Sequence, residues 1–296
     1  MKSKILLYAL VAVACHVFSG GDLIAQNWIS LFNGKDLKGW KQLNGQAEYT
    51  VKDGAIVGTT VLNQPNSFLA TEKEYGDFIL ELEFRVDPAM NSGIQVRSES
   101  NPAYENGRVH GYQVEIDPSK RAWSGGIYDE GRRGWLYPLD YNEPGKKAFQ
   151  NGKWNRYRIE CIGKTLRTWV NGQPTAHLID TLDTKGFIAL QVHSISKPEE
   201  VGRQIMWRNI RIQVGNLTPT AETGIFVANL VPNQISESEK KNGVQLLWNG
   251  LNSEGWRGAY KDRFPAAGWK IDKGILQVQP SNGAESTNGG DIVTNE

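Results

Sequence analysis

The stretch Phe78-Ile79-Leu80-Glu81-Leu82-Glu83-Phe84-Arg85-Val86 constrains this chain more than any other. In an extended chain it puts Phe78, Leu80, Leu82, Phe84 and Val86 on one side and Glu81, Glu83 and Arg85 on the other. A period of two marks a strand with one buried and one open face. The pattern returns in Ile94-Gln95-Val96-Arg97, Tyr112 to Asp117, Tyr157 to Ile162, Ile188 to His193 and Asn209 to Val214. Asp53-Gly54, Asn151-Gly152 and Asn171-Gly172 supply hairpin turns. No segment sustains a period of 3.6, so strands must cover strands. The expected fold class is all-β: a two-sheet antiparallel sandwich. Phe78, Leu80, Leu82, Phe84, Val96, Val114, Ile116, Ile159 and Leu190 are expected between the sheets.

The chain has 296 residues, room for one large all-β domain or two smaller ones. It carries 33 Lys and Arg against 32 Asp and Glu. That balance leaves no surplus to neutralise phosphates, so nucleic acid is a poor partner. No apolar run reaches the roughly 18 residues of a membrane span. Lys2 and Lys4 followed by the apolar stretch Ile5 to Val17, with small Ala25 as cleavage point, read as a secretory signal over residues 1–25. The protein is then exported, periplasmic or secreted. A lipoprotein anchored at Cys15 is the alternative. Past residue 25 the only cysteine is Cys161, so no internal disulfide can form. Cys161 shares a face with Tyr157 and Ile159 and reads as a small buried residue.

The chain also repeats itself. Leu31-Phe32-Asn33-Gly34 with Gly39-Trp40 recurs as Leu247-Trp248-Asn249-Gly250 with Gly255-Trp256. Tyr49 to Gly54 is echoed by Trp269 to Gly274. Two matches in the same order suggest a domain over 28–215, a linker over 216–243, and the truncated start of a second, similar domain over 244–296. That second piece holds only opening strands, so Trp248, Trp256 and Trp269 are expected to be loosely packed or to rest on the first domain.

The open faces of three strands carry an unusual set: Gln95 and Arg97; Gln113, Glu115 and Asp117; Gln191 and His193. Lysine, the common filler of a solvated face, is missing from it. Acid, base, oxyanion donor and hydroxyl-binding groups are all present. The set converges only if the three strands are neighbours. Glu81, Glu83 and Arg85 read more simply as a solvated face. Residues 118–145 add Trp123, Tyr128, Arg133 and Trp135 in a polar, Gly-rich loop. Flat rings beside forked guanidinium groups suit a carbohydrate. Glu115, Asp117 and His193 are also candidate ligands for a divalent cation, although no tight metal-binding spacing accompanies them. No other cofactor is indicated. His110 and His177 read equally well as ordinary loop histidines. Glu115-Ile116-Asp117 resembles the Glu-x-Asp-x-x-Glu strand of one family of sandwich glucanases, but Lys120 stands in the third acidic place, so that acid/base pair is absent.

Seven segments together resemble the 3-keto-disaccharide hydrolase family: Leu31 to Gly34 with Gly39-Trp40, Asn91 to Ser98, Gly111 to Asp117, Gly152 to Asn155, Trp169 to Gly172, Leu190 to His193 and Trp207 to Ile212. The likeness covers about 28–215. It implies a concanavalin-A-like jelly roll, export in bacteria, and action on glycosides oxidised at C3. A C3 ketone acidifies the C2 proton; its removal gives an enolate that expels the C1 substituent, and water then adds to the enone. On that reading His193 is the base, oriented by Glu115 or Asp117. Arg97, or a metal on the carboxylates, polarises the ketone. Gln95, Gln113 and Gln191 hold hydroxyls, walled by Trp123, Tyr128, Arg133 and Trp135. A non-catalytic carbohydrate-binding module and an ordinary glycoside hydrolase remain the alternatives.

Overall fold

The computed structural model describes residues 28–280 and 290–295. The leader expected at 1–25, with Cys15 and Ala25, lies outside the described residues. Sixteen strands make two sheets: β1 (Trp28–Ser30), β2 (Trp40–Asn44), β3 (Glu48–Lys52), β4 (Ala55–Thr59), β5 (Ser67–Thr71), β6 (Phe78–Val86), β7 (Ser92–Glu99), β8 (His110–Ile116), β9 (Ile127–Glu130), β10 (Gly134–Tyr137), β11 (Asn155–Ile162), β12 (Thr165–Val170), β13 (Gln173–Ile179), β14 (Phe187–Val192), β15 (Gln204–Gln213) and β16 (Ala228–Asn229). One sheet runs β16-β13-β12-β11-β6-β15-β4-β3, with β1 also on β15; the other runs β10-β9-β8-β7-β14-β5-β2. All pairs are antiparallel except β13 with β16. This is the all-β jelly-roll sandwich.

The alternation on β6 does what its period requires. Phe78, Leu80, Leu82, Phe84 and Val86 are buried against Ile94, Val96, Val114, Ile116 and Leu190 of the facing sheet. All nine residues expected between the sheets lie there. Burial contributes roughly 1.5–3 kcal/mol for each large apolar side chain, and with no disulfide available this core carries the stability. Cys161 is wholly buried, and burial pushes its thiol up to about 12. It is an inert core residue. The outer face of β6 is not simply solvated. Glu81 is buried beneath Arg156, Arg158 and Arg211.

The segment read as a linker is partly docked. Ala228 and Asn229 extend the larger sheet in parallel beside Leu178 and Ile179, so 219–231 straps across its edge. Beyond it, β17 (Trp256–Gly258) pairs with β20 (Ile292–Thr294), and β18 (Trp269–Asp272) with β19 (Ile275–Val278). Leu247, Leu251, Tyr260 and Ile275 are exposed, while Trp248, Trp256 and Trp269 are half-buried. The repeated opening folds alike in both places. Asn33 Oδ1 accepts from the amides of Lys35 (2.8 Å) and Asp36 (3.0 Å), and Trp40 Nε1 donates to the Leu31 carbonyl at 2.8 Å. Asn249 Oδ1 accepts from Leu251 (2.8 Å) and Asn252 (3.1 Å), and Trp256 Nε1 donates to the Leu247 carbonyl at 2.8 Å.

Candidate active site

The smaller sheet brings the three site-bearing strands together, in the order β8-β7-β14. One lateral row can be followed across it: Trp135 opposite Tyr128, Tyr128 opposite Gln113, Gln113 opposite Gln95, and Gln95 opposite Ala189. These residues alternate with the core-facing Ile94, Val96 and Val114, so they share the outer face. Glu115 lies one step along the same face, opposite Gly93.

Gln95 and Gln113 do not present free amides to a ligand. The Ser98 hydroxyl donates to Gln95 Oε1 at 2.8 Å, Gln95 Nε2 to Gln113 Oε1 at 2.7 Å, and Gln113 Nε2 to Glu115 Oε2 at 2.9 Å. Both glutamines are buried. Their expected role as hydroxyl clamps is therefore corrected: their polar atoms are spent on a directional chain that ends on the Glu115 carboxylate. Asn91 Nδ2 (2.6 Å) and an Arg121 guanidinium nitrogen (3.2 Å) reach its other oxygen. Burial raises the Glu115 carboxyl above its ordinary value, against the pull of these donors. Gln191 differs from its two counterparts. It is fully buried, and neither amide atom has a partner among the described residues. Unspent capacity of this kind is costly and calls for a polar guest.

Gly93 makes the chain of amides possible. A Cβ there would lie 2.4 Å from Gln113 Cδ and 2.8 Å from its Nε2. Gly93→Ala should displace Gln113 and strip one donor from Glu115. The expected result is a loss of about 1–3 kcal/mol of stability, read as a lowered melting temperature with an unchanged far-ultraviolet spectrum.

Asp117 is a loop organiser. It accepts from the Ser119 amide (3.0 Å), Arg121 Nε (2.7 Å) and the Trp123 amide (3.2 Å). Burial raises its pKa, but the bonds from Ser119 and Arg121 outweigh that and hold it below the usual carboxylate range. The loop it shapes carries the aromatic wall. The Trp123 and Trp135 rings are 4.6 Å apart, Trp135 is 5.1 Å from Tyr128, and the Arg121 guanidinium lies over both tryptophans.

Two predicted members are elsewhere. Arg97 sits in a break of register with φ +47°, and this bulge reverses the alternation after Val96. Its buried guanidinium donates to the carbonyls of Gly76 (2.9 Å) and Gly163 (2.8 Å) and pairs with Asp77 at 2.9 Å. It holds loops together and does not polarise a ketone. Arg133 is bound to Asp129 and Asp180, with its guanidinium over Tyr112, a residue of the opposite face.

His193 lies just beyond β14, half-buried. Its Nδ1 is 2.8 Å from the Ser194 carbonyl, which favours a proton on Nδ1 and leaves Nε2 as the lone-pair nitrogen. Neither Glu115 nor Asp117 bonds to it, which corrects the expected orienting pair. The nearby carboxylate is Glu130. Asn66 bridges Glu130 to the backbone just after the histidine, donating to Glu130 Oε1 at 3.4 Å and accepting from the Ser194 amide at 2.9 Å. Burial raises the Glu130 carboxyl, while the charges of Arg108 and His193 act to lower it. Tyr128, its neighbour but one on β9, has its hydroxyl pKa raised by burial and then by the charges of Glu130 and Glu115. Sequence reasoning missed Glu130. The alternation of Tyr128 and Glu130 was the available signal, masked by the short strand. The candidate cation ligands Glu115, Asp117 and His193 are not brought together as a set, and no group of three or more His, Cys, Asp or Glu placed for a metal occurs among the described residues. His110 and His177, read as loop residues, lie within β8 and β13.

A family model described as the 3-keto-alpha-glucoside-1,2-lyase-like domain matches residues 27–213. The chain belongs to that family. Membership makes it a carbohydrate-active protein of the glycosyl hydrolase-like kind, and the matched span coincides with the sandwich rather than the tail. No curated protein matches the chain. Among solved structures, it is similar to a candidate glycosyl hydrolase of Parabacteroides distasonis, with 19% identity over 64% of this chain and 94% of that one and a TM-score of 0.47. It is also similar to the carbohydrate-binding module CBM66 of Bacillus subtilis, with 14% identity over 60% and 96% and a TM-score of 0.43. No helix among the described residues is long and apolar enough to cross a membrane.

Proposed function

We propose that this face cleaves 3-keto glycosides by elimination and hydration, and that the apolar leader exports the protein to where such sugars are met. The observation that carries the reading is a half-buried histidine, His193, within electrostatic reach of the buried carboxyl of Glu130, with Asn66 tying Glu130 to the backbone beside the histidine. His193 Nε2 takes the C2 proton, and the C–H pair moves into an enolate on the C3 oxygen. Glu130 stabilises the imidazolium so formed. Tyr128, whose hydroxyl is held protonated chiefly by burial, donates to the enolate oxygen. The enolate then collapses to a C1–C2 double bond and the C1 oxygen leaves, taking a proton from Glu115, the buried carboxyl one step along the same face. Water then adds its oxygen to C1 and gives a proton back to Glu115, while the His193 imidazolium returns its proton to C2, completing net hydrolysis and restoring both groups. Gln191, the glutamine with unspent donors and acceptors, holds a sugar hydroxyl, and the Trp123–Trp135–Tyr128 wall flanks the leaving group.

The test is direct. The purified chain should release aglycone from a 3-keto glucoside and leave the unoxidised glucoside intact. Equal cleavage of both would mark an ordinary glycoside hydrolase. Binding of the sugar with no turnover would mark a binding module.

A further inference from the structure

On the opposite sheet, the strap over 219–231 and the segment that follows it to 244 leave a cavity of about 1130 Å³ against the outer face of β12 and β13. Its floor holds three buried polar side chains, Glu160 and the pair Arg167 and His177, which stand opposite each other in register. Its walls carry the apolar Ile162, Ile179, Ile225, Phe226, Val231 and Ile235, and charged residues including Lys164 and Lys241 also line it. A cavity this size, mostly apolar with a few convergent polar groups, has the form of a small-molecule site.

The floor defines the ligand's polar end. One Arg167 nitrogen is committed to Glu160 (2.7 Å) and to the Thr220 carbonyl (2.6 Å). Its other terminal nitrogen faces Glu222 of the strap at 4.0 Å. The same Glu222 carboxylate lies 3.7 Å from His177 Nδ1, and the His177 ring makes no hydrogen bond among the described residues. The chain thus leans a carboxylate of its own toward both groups and brings it to hydrogen-bond distance of neither. Glu222 is 68% exposed and free to swing away. Burial holds His177 below the usual imidazole range, so Arg167 supplies the cation near neutral pH.

We propose that this cavity is a second binding site, for a small monocarboxylate with an apolar body, whose carboxylate takes the place that Glu222 only approaches. Aliphatic and aromatic acids share this chemistry: the same fork takes the carboxylate and the same apolar residues take the body.

Titration calorimetry on the full chain tests this with octanoate, 1-octanol, acetate and 3-phenylpropanoate. Octanoate should bind at least tenfold more tightly than 1-octanol, and acetate should not register, since each methylene buried is worth about fourfold in affinity. The tighter of octanoate and 3-phenylpropanoate identifies the aliphatic or aromatic source. Glu222→Gln should strengthen octanoate binding several-fold by removing the competing charge. Arg167→Met should weaken it at least tenfold. Glu160 is buried and loses a partner in that variant, so the exposed Glu222→Gln decides the matter if Arg167→Met does not fold. Equal binding of octanoate and 1-octanol, no binding of either acid, or unchanged or weaker binding in Glu222→Gln would overturn the proposal.

Discussion

His193→Ala should lower turnover of a 3-keto glucoside by about 10²-fold or more, the scale of a lost general base. The residue is half-buried at the end of a strand, and its ring hydrogen-bonds to the carbonyl of its neighbour Ser194. The variant should therefore fold and melt as the parent does. Glu130→Gln should fall between the two, because a neutral amide keeps the shape but no longer stabilises the imidazolium. Its rate profile should shift along the pH axis. A His193→Ala protein with full activity would end the proposed mechanism. So would a pH profile unchanged by Glu130→Gln, at least for the role given to that carboxyl.

Arg97→Ala should do the reverse. The guanidinium ties two backbone carbonyls and Asp77 together from a buried position. Removing it leaves those acceptors unsatisfied, at a cost of about 2–4 kcal/mol. Chemical denaturation should show that loss, while the folded fraction turns substrate over at the parent rate. A selective loss of turnover with unchanged stability would restore Arg97 to the chemistry.

These two residues also show what can be read from a sequence of this kind. Periodicity located the strands at 78–86, 94–97, 112–117, 157–162, 188–193 and 209–214, and with them the buried face, because a period of two is a purely local property. It failed at Arg97 because one bulge, invisible in residue type, reverses every face assignment after it. It placed Gln95 and Gln113 on the correct face but could not tell a free amide from one spent on its neighbour, since that depends on cross-strand register and on the missing side chain at Gly93. Glu130 went unnoticed because a strand of four residues, Ile127–Glu130, is too short to announce its alternation. Its link to the backbone beside His193 runs through Asn66, more than sixty positions away from it in the chain.

The opening clasp, in which an asparagine side chain gathers two amides and a tryptophan reaches back nine residues to a leucine carbonyl, is formed twice. At Trp40 it is buried in a finished sandwich; at Trp256 it stands beside a two-stranded ribbon, with Leu247 two-thirds exposed. It therefore needs no sheet to receive it. Closing so short a loop costs little chain entropy, and chains form their structure from the leading end as they are made. A nascent copy of this domain can tie its front end before the first core strand exists, so that β2 is already aimed when its partner β5 arrives. The clasp is thus a self-contained local device, with the same geometry at both places where it forms.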